Sequence, residues 1–231
     1  MTIQFSGLPS GLFTFLSDLA NNNNREWFAA NKERYRACVM EPISEFICAM
    51  APRLDKISEH YVADPRPHGG SMFRIYRDAR FSKNKRPYKE NVGCHFRHAA
   101  GKDAHAPGFY LHIEPNNVFF GVGIWQPPNS VLDLIRTAII EQPEQWKKII
   151  TNKTIKSRFE AVKGDGLKKA PRGYDPNHIY IEDLKRKTYF LTQSVDQSFA
   201  LTPQFITEVE RAFKAGNPLV AFITKAMSLP Y

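Results

Sequence analysis

Cysteine is scarce: Cys38, Cys48 and Cys94 are the three in the chain, and no C-x-x-C spacing links them. An odd, unpatterned set argues against a disulfide framework or a structural zinc site, so these read as reduced core thiols. No apolar run approaches the roughly 20 residues needed to cross a bilayer, and no membrane partner is expected. After Met1 the chain opens on polar and amphipathic sequence, without the basic and apolar regions of a secretory signal, so the expected location is cytoplasmic. Neither Gly-x4-Gly-Lys-Ser/Thr nor Gly-x-Ser-x-Gly occurs. P-loop nucleotide hydrolysis and nucleophile-elbow catalysis are therefore not expected. Repeats, low-complexity tracts and long flexible linkers are absent as well.

What is present suits a globular chain. Of 231 residues, 42% are hydrophobic and 24% charged, enough for one domain with a substantial core. The net charge of +9 is uneven. Residues 61–105 hold ten Lys/Arg against four Asp/Glu, and 153–190 hold ten against five, while the rest is close to neutral. Two such segments either converge on one positive face that attracts phosphates or carboxylates, or form separate solvated patches.

Periodicity divides the chain in three. Leu12, Phe15, Leu16 and Leu19 recur at helical spacing, Asn23-x-x-Glu26 fits a capping box, and Ile43, Phe46, Ile47, Met50, Leu54 and Ile57 form an apolar stripe that Pro52 should kink or split. Residues 1–60 are thus expected to be helical. Between 70 and 126 the period shortens, predicting strands over 72–76, 92–98, 109–114 and 118–125. Phe109, Leu111 and Ile113 alternate with Tyr110, His112 and Glu114, and Pro115-Asn116-Asn117 offers a hairpin turn. Helical signals resume over 129–231, with Ser130-x-x-Asp133 as a cap and Pro143 opening a second helix. The expected class is α+β: a central antiparallel sheet of about four or more strands, flanked by N-terminal and C-terminal helices.

The densest chemistry lies in 72–89, where Arg74, Arg77, Arg80, Lys83, Lys85, Arg86 and Lys89 supply seven cations, interleaved with Phe73, Tyr76, Phe81 and Tyr88 around one carboxylate, Asp78. As a strand, 72–76 would turn Phe73 and Ile75 to the core and Arg74 and Tyr76 to a site. Asp78 then orients Arg77 or Arg80 through a bidentate pair, freeing the remaining donors for a ligand. Ser82, Lys83 and Lys85 follow in a loop stiffened by Pro87, suited to gripping phosphate oxygens. The alternative is a structural network in which the arginines meet acids such as Glu26, Glu33 and Glu114.

Arg74 to Lys89 resembles the hallmark R-I-Y-R-D-x-R-F-S-K-x-K-x-P-Y-K of a widespread family of conserved hypothetical proteins, a domain of unknown function. Residues 22–28 (Asn-Asn-Asn-Arg-Glu-Trp-Phe), 108–115 and 167–174 also match its pattern. Where the family often has Asp in the Ser-Lys-Asp-Lys step, this chain has Asn84. The resemblance implies a shared site and carries no established activity.

His112 and Glu114 share one strand face at i and i+2, with His95 placed to join them from a neighbouring strand. No third ligand has a defined spacing, so a hydrogen-bonded face is expected, with no metal or cofactor. The same pair suits acid–base chemistry, with Tyr110 or Tyr76 as a hydroxyl donor; the catalytic candidates are His112, Glu114 and Asp78. The expected function is recognition of a phosphorylated or carboxylated small molecule by Arg74, Tyr76, Arg77, Arg80, Ser82, Lys83, Lys85, Tyr88 and Lys89, compatible with binding alone or with a reaction. The alternative is a nucleic-acid interface in which the basic segments contact phosphates and Tyr76, Phe81 or Tyr88 stack on bases.

Overall fold

A computed structural model describes residues 5–80, 82–101 and 105–231. The fold is α+β. Helices α1 (Ser10–Asn21), α2 (Arg25–Ala30) and α3 (Lys32–Tyr35) lead through a π-helical turn (Arg36–Met40) into α4 (Glu41–Asp55). Asn24, not Asn23, caps α2, its side chain accepting from the Trp27 N–H at 2.9 Å. Pro52 neither splits nor ends α4, because it lies in the last turn, where only one helical hydrogen bond is lost.

Strands β1 (Val92–Arg97), β2 (Gly108–Glu114), β3 (Asn117–Ile124) and β4 (Tyr189–Val195) form one antiparallel sheet in the order β1-β2-β3-β4. The β2–β3 hairpin pairs Glu114 with Asn117 across a two-residue turn, and Asn116 takes φ 60°, a conformation asparagine tolerates. Between β3 and β4 come α5 (Asn129–Glu141), α6 (Pro143–Ile150), α7 (Lys153–Phe159) and α8 (Ile181–Leu184). The chain closes with α9 (Gln197–Ala200) and α10 (Phe205–Ala226). Pro143 does open α6, whereas α5 starts at Asn129 without a side-chain cap.

Two expectations need correction. The stretch 129–231 is not wholly helical, since it supplies β4. Residues 72–76 are not a regular strand: Met72 bridges Cys94 and Tyr76 bridges Tyr88, and nothing longer forms. The backbone leaves β1 after Phe73 to pair with its own returning limb, Arg77 N–H donating to Pro87 O and Lys89 N–H to Ile75 O. As a result Met72 and Ile75 are the buried side chains, and Phe73 turns to the outer face of the sheet.

One contiguous buried cluster runs from Leu8 to Ile223. Its centre is the inner face of the sheet (Cys94, Phe96, Phe109, Leu111, Phe120, Val122, Leu191) against α10, where the Phe213 ring lies 4.9 Å from Phe109 and 5.9 Å from Phe96. Each such aromatic buried contributes about 1.5–3 kcal/mol, and this fixes which face of the sheet is left over for function.

Candidate functional site

The cations of the hallmark segment mostly hold the segment itself. Arg80 forms a bidentate pair with Asp78, with nitrogen–oxygen distances of 3.0 and 2.7 Å. Arg77 donates to the Ser82 hydroxyl at 3.0 Å, Lys85 to the carbonyls of Ala79 and Arg80, and Arg86 to Glu90 at 2.6 Å. The acids engaged are thus Asp78 and Glu90. Arg74 and Lys83 are exposed and make no side-chain hydrogen bond or ion pair among the described residues. Phe81, a candidate for base stacking, lies outside the described residues. Tyr76 is 53% exposed.

Asp78 carries a measurable consequence of its pairing. The Arg80 guanidinium, and after it the Arg80 backbone N–H, donate to its carboxyl and pull it from 3.8 down to about 2. Because the folded value lies below the ordinary one, the pair's contribution is complete above the ordinary value and disappears as pH falls through the lower one. Carbon NMR titration of Asp78 is expected to give a midpoint near 2, and Arg80→Ala to return it toward the ordinary aspartate range; an unchanged midpoint in the variant would remove Arg80 as the cause.

The segment is tied down from a distance. The Asn23 amide accepts from the Tyr88 N–H and donates to the Tyr88 carbonyl, both at 3.1 Å, and donates to Glu90 at 2.8 Å. Phe28 stacks on Tyr88 with ring centroids 4.1 Å apart. These contacts place Tyr88 in the core rather than at a ligand, and they join the Asn-rich motif of the N-terminal helices to the basic one.

A cavity of about 510 Å³ opens on the outer face of the sheet. The register explains it. Tyr110 of β2 faces His95 of β1 on one side and Gly121 of β3 on the other, Gly121 faces Thr192 of β4, and the next row runs Arg97, Gly108, Gly123, Phe190. Glycines at the centre of both rows leave a floor without side chains, and Phe73, Phe119, Trp125 and Phe190 stand around it. Trp125 is 51% exposed, at the mouth. Beside this wall the Lys89 ammonium sits 5.2 Å from the centroid of the Phe73 ring. Burial, and secondarily Arg74, lowers its pKa.

Tyr110, His112 and Glu114 form a hydrogen-bonded row along β2. The Tyr110 hydroxyl lies 3.2 Å from His112 Nδ1, and His112 Nε2 lies 3.3 Å from Glu114 Oε2. Burial lowers the His112 pKa, opposed by the Glu114 hydrogen bond and charge, and burial raises that of Tyr110. His95 does not complete a set with His112, because it sits one register row away, opposite Tyr110.

A family model described as "Conserved hypothetical protein (DUF2461)" matches residues 11–222. The chain belongs to that family. Among curated proteins, none matches it.

The two basic segments of this family member lie at opposite edges of the sheet. The first carries β1 and the loop that covers its outer edge. The second reaches β4 from outside, Lys163 pairing with Phe190 through bonds of 2.7 and 3.2 Å, and Gly166 bridging Arg186. With β2 and β3 between them, three strand spacings or about 14 Å separate the edges, so the segments flank the open face instead of merging. The cavity itself was missed in the sequence; its signal is the glycine set Gly108, Gly121 and Gly123, which has meaning only once the strands are in register.

Proposed function

We propose that the outer face of the sheet binds a small molecule with a flat apolar body and an anionic group. The body rests on the glycine floor between Phe73, Trp125 and Phe190, and the anion meets Lys89 and Arg74 at the β1 rim. One observation carries this reading: a half-buried ammonium stands beside an apolar cavity and, among the described residues, makes no ion pair. Removing a cation from water without a counter-charge is costly, and an anionic ligand offsets that cost. Arg77, Arg80, Ser82, Lys85 and Tyr88 then act as the frame that presents Arg74 and Lys89, and Lys83 extends from the frame's tip.

Two dyes test this directly. Anilinonaphthalene sulfonate has the flat body and the anion, and phenylnaphthylamine has the body alone. Wild-type protein is expected to bind both saturably, with Lys89→Met weakening the sulfonate about tenfold, about 1.4 kcal/mol, and leaving the neutral amine unchanged. The atoms nearest a Cβ at Gly121 are those of Tyr110, at 3.4 Å and beyond, an ordinary contact distance, so Gly121→Leu should fold, fill the cavity and abolish both signals. Unchanged binding in that variant would place the dyes elsewhere and overturn the reading.

A second reading is favoured by a specific arrangement: aromatic residues on an open antiparallel sheet, with a cationic segment at each edge, also suit a single-stranded nucleic acid. Under that reading oligonucleotide affinity falls steeply with salt, whereas dye binding in the cavity keeps most of its strength.

A further inference from the structure

The cavity shares one of its lining residues, Tyr110, with a chain of groups that binding alone does not require. Tyr110, His112 and Glu114 occupy alternate positions of β2, so the pleat puts all three on the outer face, roughly 7 Å apart per step. The order is hydroxyl, imidazole, carboxylate, the order by which a hydroxyl is activated for proton transfer.

The neighbours fix the direction of the hydrogen bonds. The Glu114 carboxylate accepts from Asn117 Nδ2 at 2.8 Å and lies 3.3 Å from His112 Nε2, so Nε2 carries the imidazole proton. That leaves Nδ1 as an acceptor, and the two groups nearest it are donors: the Tyr110 hydroxyl at 3.2 Å and Asn91 Nδ2 at 3.5 Å. Phe119 stacks on the imidazole at 4.6 Å with planes 15° apart, which holds the ring orientation. Opposite His112 in the register stands Gly93, where a Cβ would come within 2.5 Å of the Tyr110 oxygen. The phenol therefore occupies room that any other residue at 93 would take. Both features are what a preorganised catalytic group needs.

We infer that Tyr110, His112 and Glu114 form an acid–base relay serving the cavity. In the step it supports, the phenol oxygen takes a proton from the bound molecule while its own proton passes to His112 Nδ1. The ligand gains one negative charge and His112 becomes an imidazolium held by Glu114, so the proton and the charge are both accounted for. The relay rests on the small-molecule reading of the cavity, since its substrate is the molecule bound there. Within the ligand class proposed above, the substrate also carries an acidic C–H, N–H or O–H, and Lys89 and Arg74, which meet its polar end, also face the negative charge that develops there. Burial keeps the phenol protonated and favours the neutral imidazole, the states from which this step starts.

The experiment uses nitrobenzisoxazole, a flat apolar carbon acid. Base removes its ring C–H, the C–H electron pair completes a nitrile, the N–O bond breaks and the oxygen leaves as a coloured phenolate. Wild-type protein is expected to accelerate this reaction, and Tyr110→Phe and His112→Gln each to lose about 100-fold in rate, while both variants still bind anilinonaphthalene sulfonate. Equal rates in wild type and Tyr110→Phe, with dye binding retained, overturn the relay and leave the cavity reading standing. Absence of dye binding in the wild type overturns the cavity reading and the relay with it. Nitrogen NMR adds a readout independent of rate: the expected tautomer has Nε2 protonated, and an Nδ1-protonated ring reverses the direction and overturns the inference.

Glu114 is a positioning residue here. The groups facing His112 are Tyr110 and Glu114 on its own strand, Asn91 just before β1, and Phe119 on β3; of these Glu114 alone is charged. Glu114→Gln is therefore expected to lower the His112 titration midpoint and to move the pH–rate profile with it, a shift that a purely structural carboxylate would not cause.

Discussion

Gly123→Ala is expected to destabilise the protein by at least about 3 kcal/mol, combining left-handed backbone strain with a steric clash, read as a lowered urea midpoint. Gly123 has φ 136°, and a Cβ there would lie 2.1 Å from the Tyr189 carbonyl oxygen and 2.8 Å from Phe190 Cα. Both atoms are backbone of the paired strand, so relief requires β4 to move away from β3. That movement displaces Phe190 and Thr192 from the cavity wall, and dye binding should be lost along with stability. Gly121→Leu, two residues earlier on the same strand, should lose binding with little change in stability. A stability loss of similar size in both variants would mean that the cavity floor is a packed core element and not a vacancy for ligand.

Arg136→Met is expected to cost about 3–5 kcal/mol, the range for removing a buried charged donor from its partners. Arg136 is only 5% exposed. Its guanidinium donates to the Leu184 carbonyl at 2.8 Å, the Arg186 carbonyl at 3.2 Å and Asp133 at 3.0 Å, joining α5 to the chain just before β4. Trp146 and Arg186 both donate to the Asp183 carboxylate there, at 2.9 and 3.1 Å. Methionine matches the length of the side chain but leaves two carbonyls without donors. Arg136→Lys should recover little, because one ammonium cannot reproduce the planar fork. Urea denaturation measures the loss, and limited trypsin digestion should show earlier cleavage within 163–187. Wild-type stability in Arg136→Met would mean that water replaces the fork at no cost.

The legible parts of the fold were those whose signal is local. The β2–β3 hairpin was readable because apolar and polar residues alternate through Ile113 and Asn116 accepts a positive φ. The pairing of His112 with Glu114 was readable from their i, i+2 spacing. Residues 72–76 imitate a strand because Phe73 and Ile75 are spaced by two, yet the limb 87–89 competes with β1 for their backbone, and long-range pairing decides between them. Strand β4 was hidden because polar Thr192, Gln193 and Ser194 interrupt its apolar pattern after Leu191. The clamp from Asn23 spans 65 residues to Tyr88, a distance over which sequence pattern carries no signal. Of the nine residues expected to hold a ligand, Arg77 and Ser82 hold each other, Arg80 holds Asp78 and Lys85 holds loop carbonyls, because cations crowded in one loop find hydroxyls, carbonyls and carboxylates close by.

The outer edge of β1 is met twice, by Val62 donating to the Arg97 carbonyl and by Ser71 and Phe73 exchanging bonds with His95 and Gly93. A strand bordered in this way offers no unpaired row for a foreign peptide to extend, so edge-to-edge aggregation and recruitment by strand addition are blocked on that side. The hallmark segment begins at this cover. A lesion that loosens it therefore does more than distort a binding rim: it uncovers a templating surface, and the first sign of such damage is self-association.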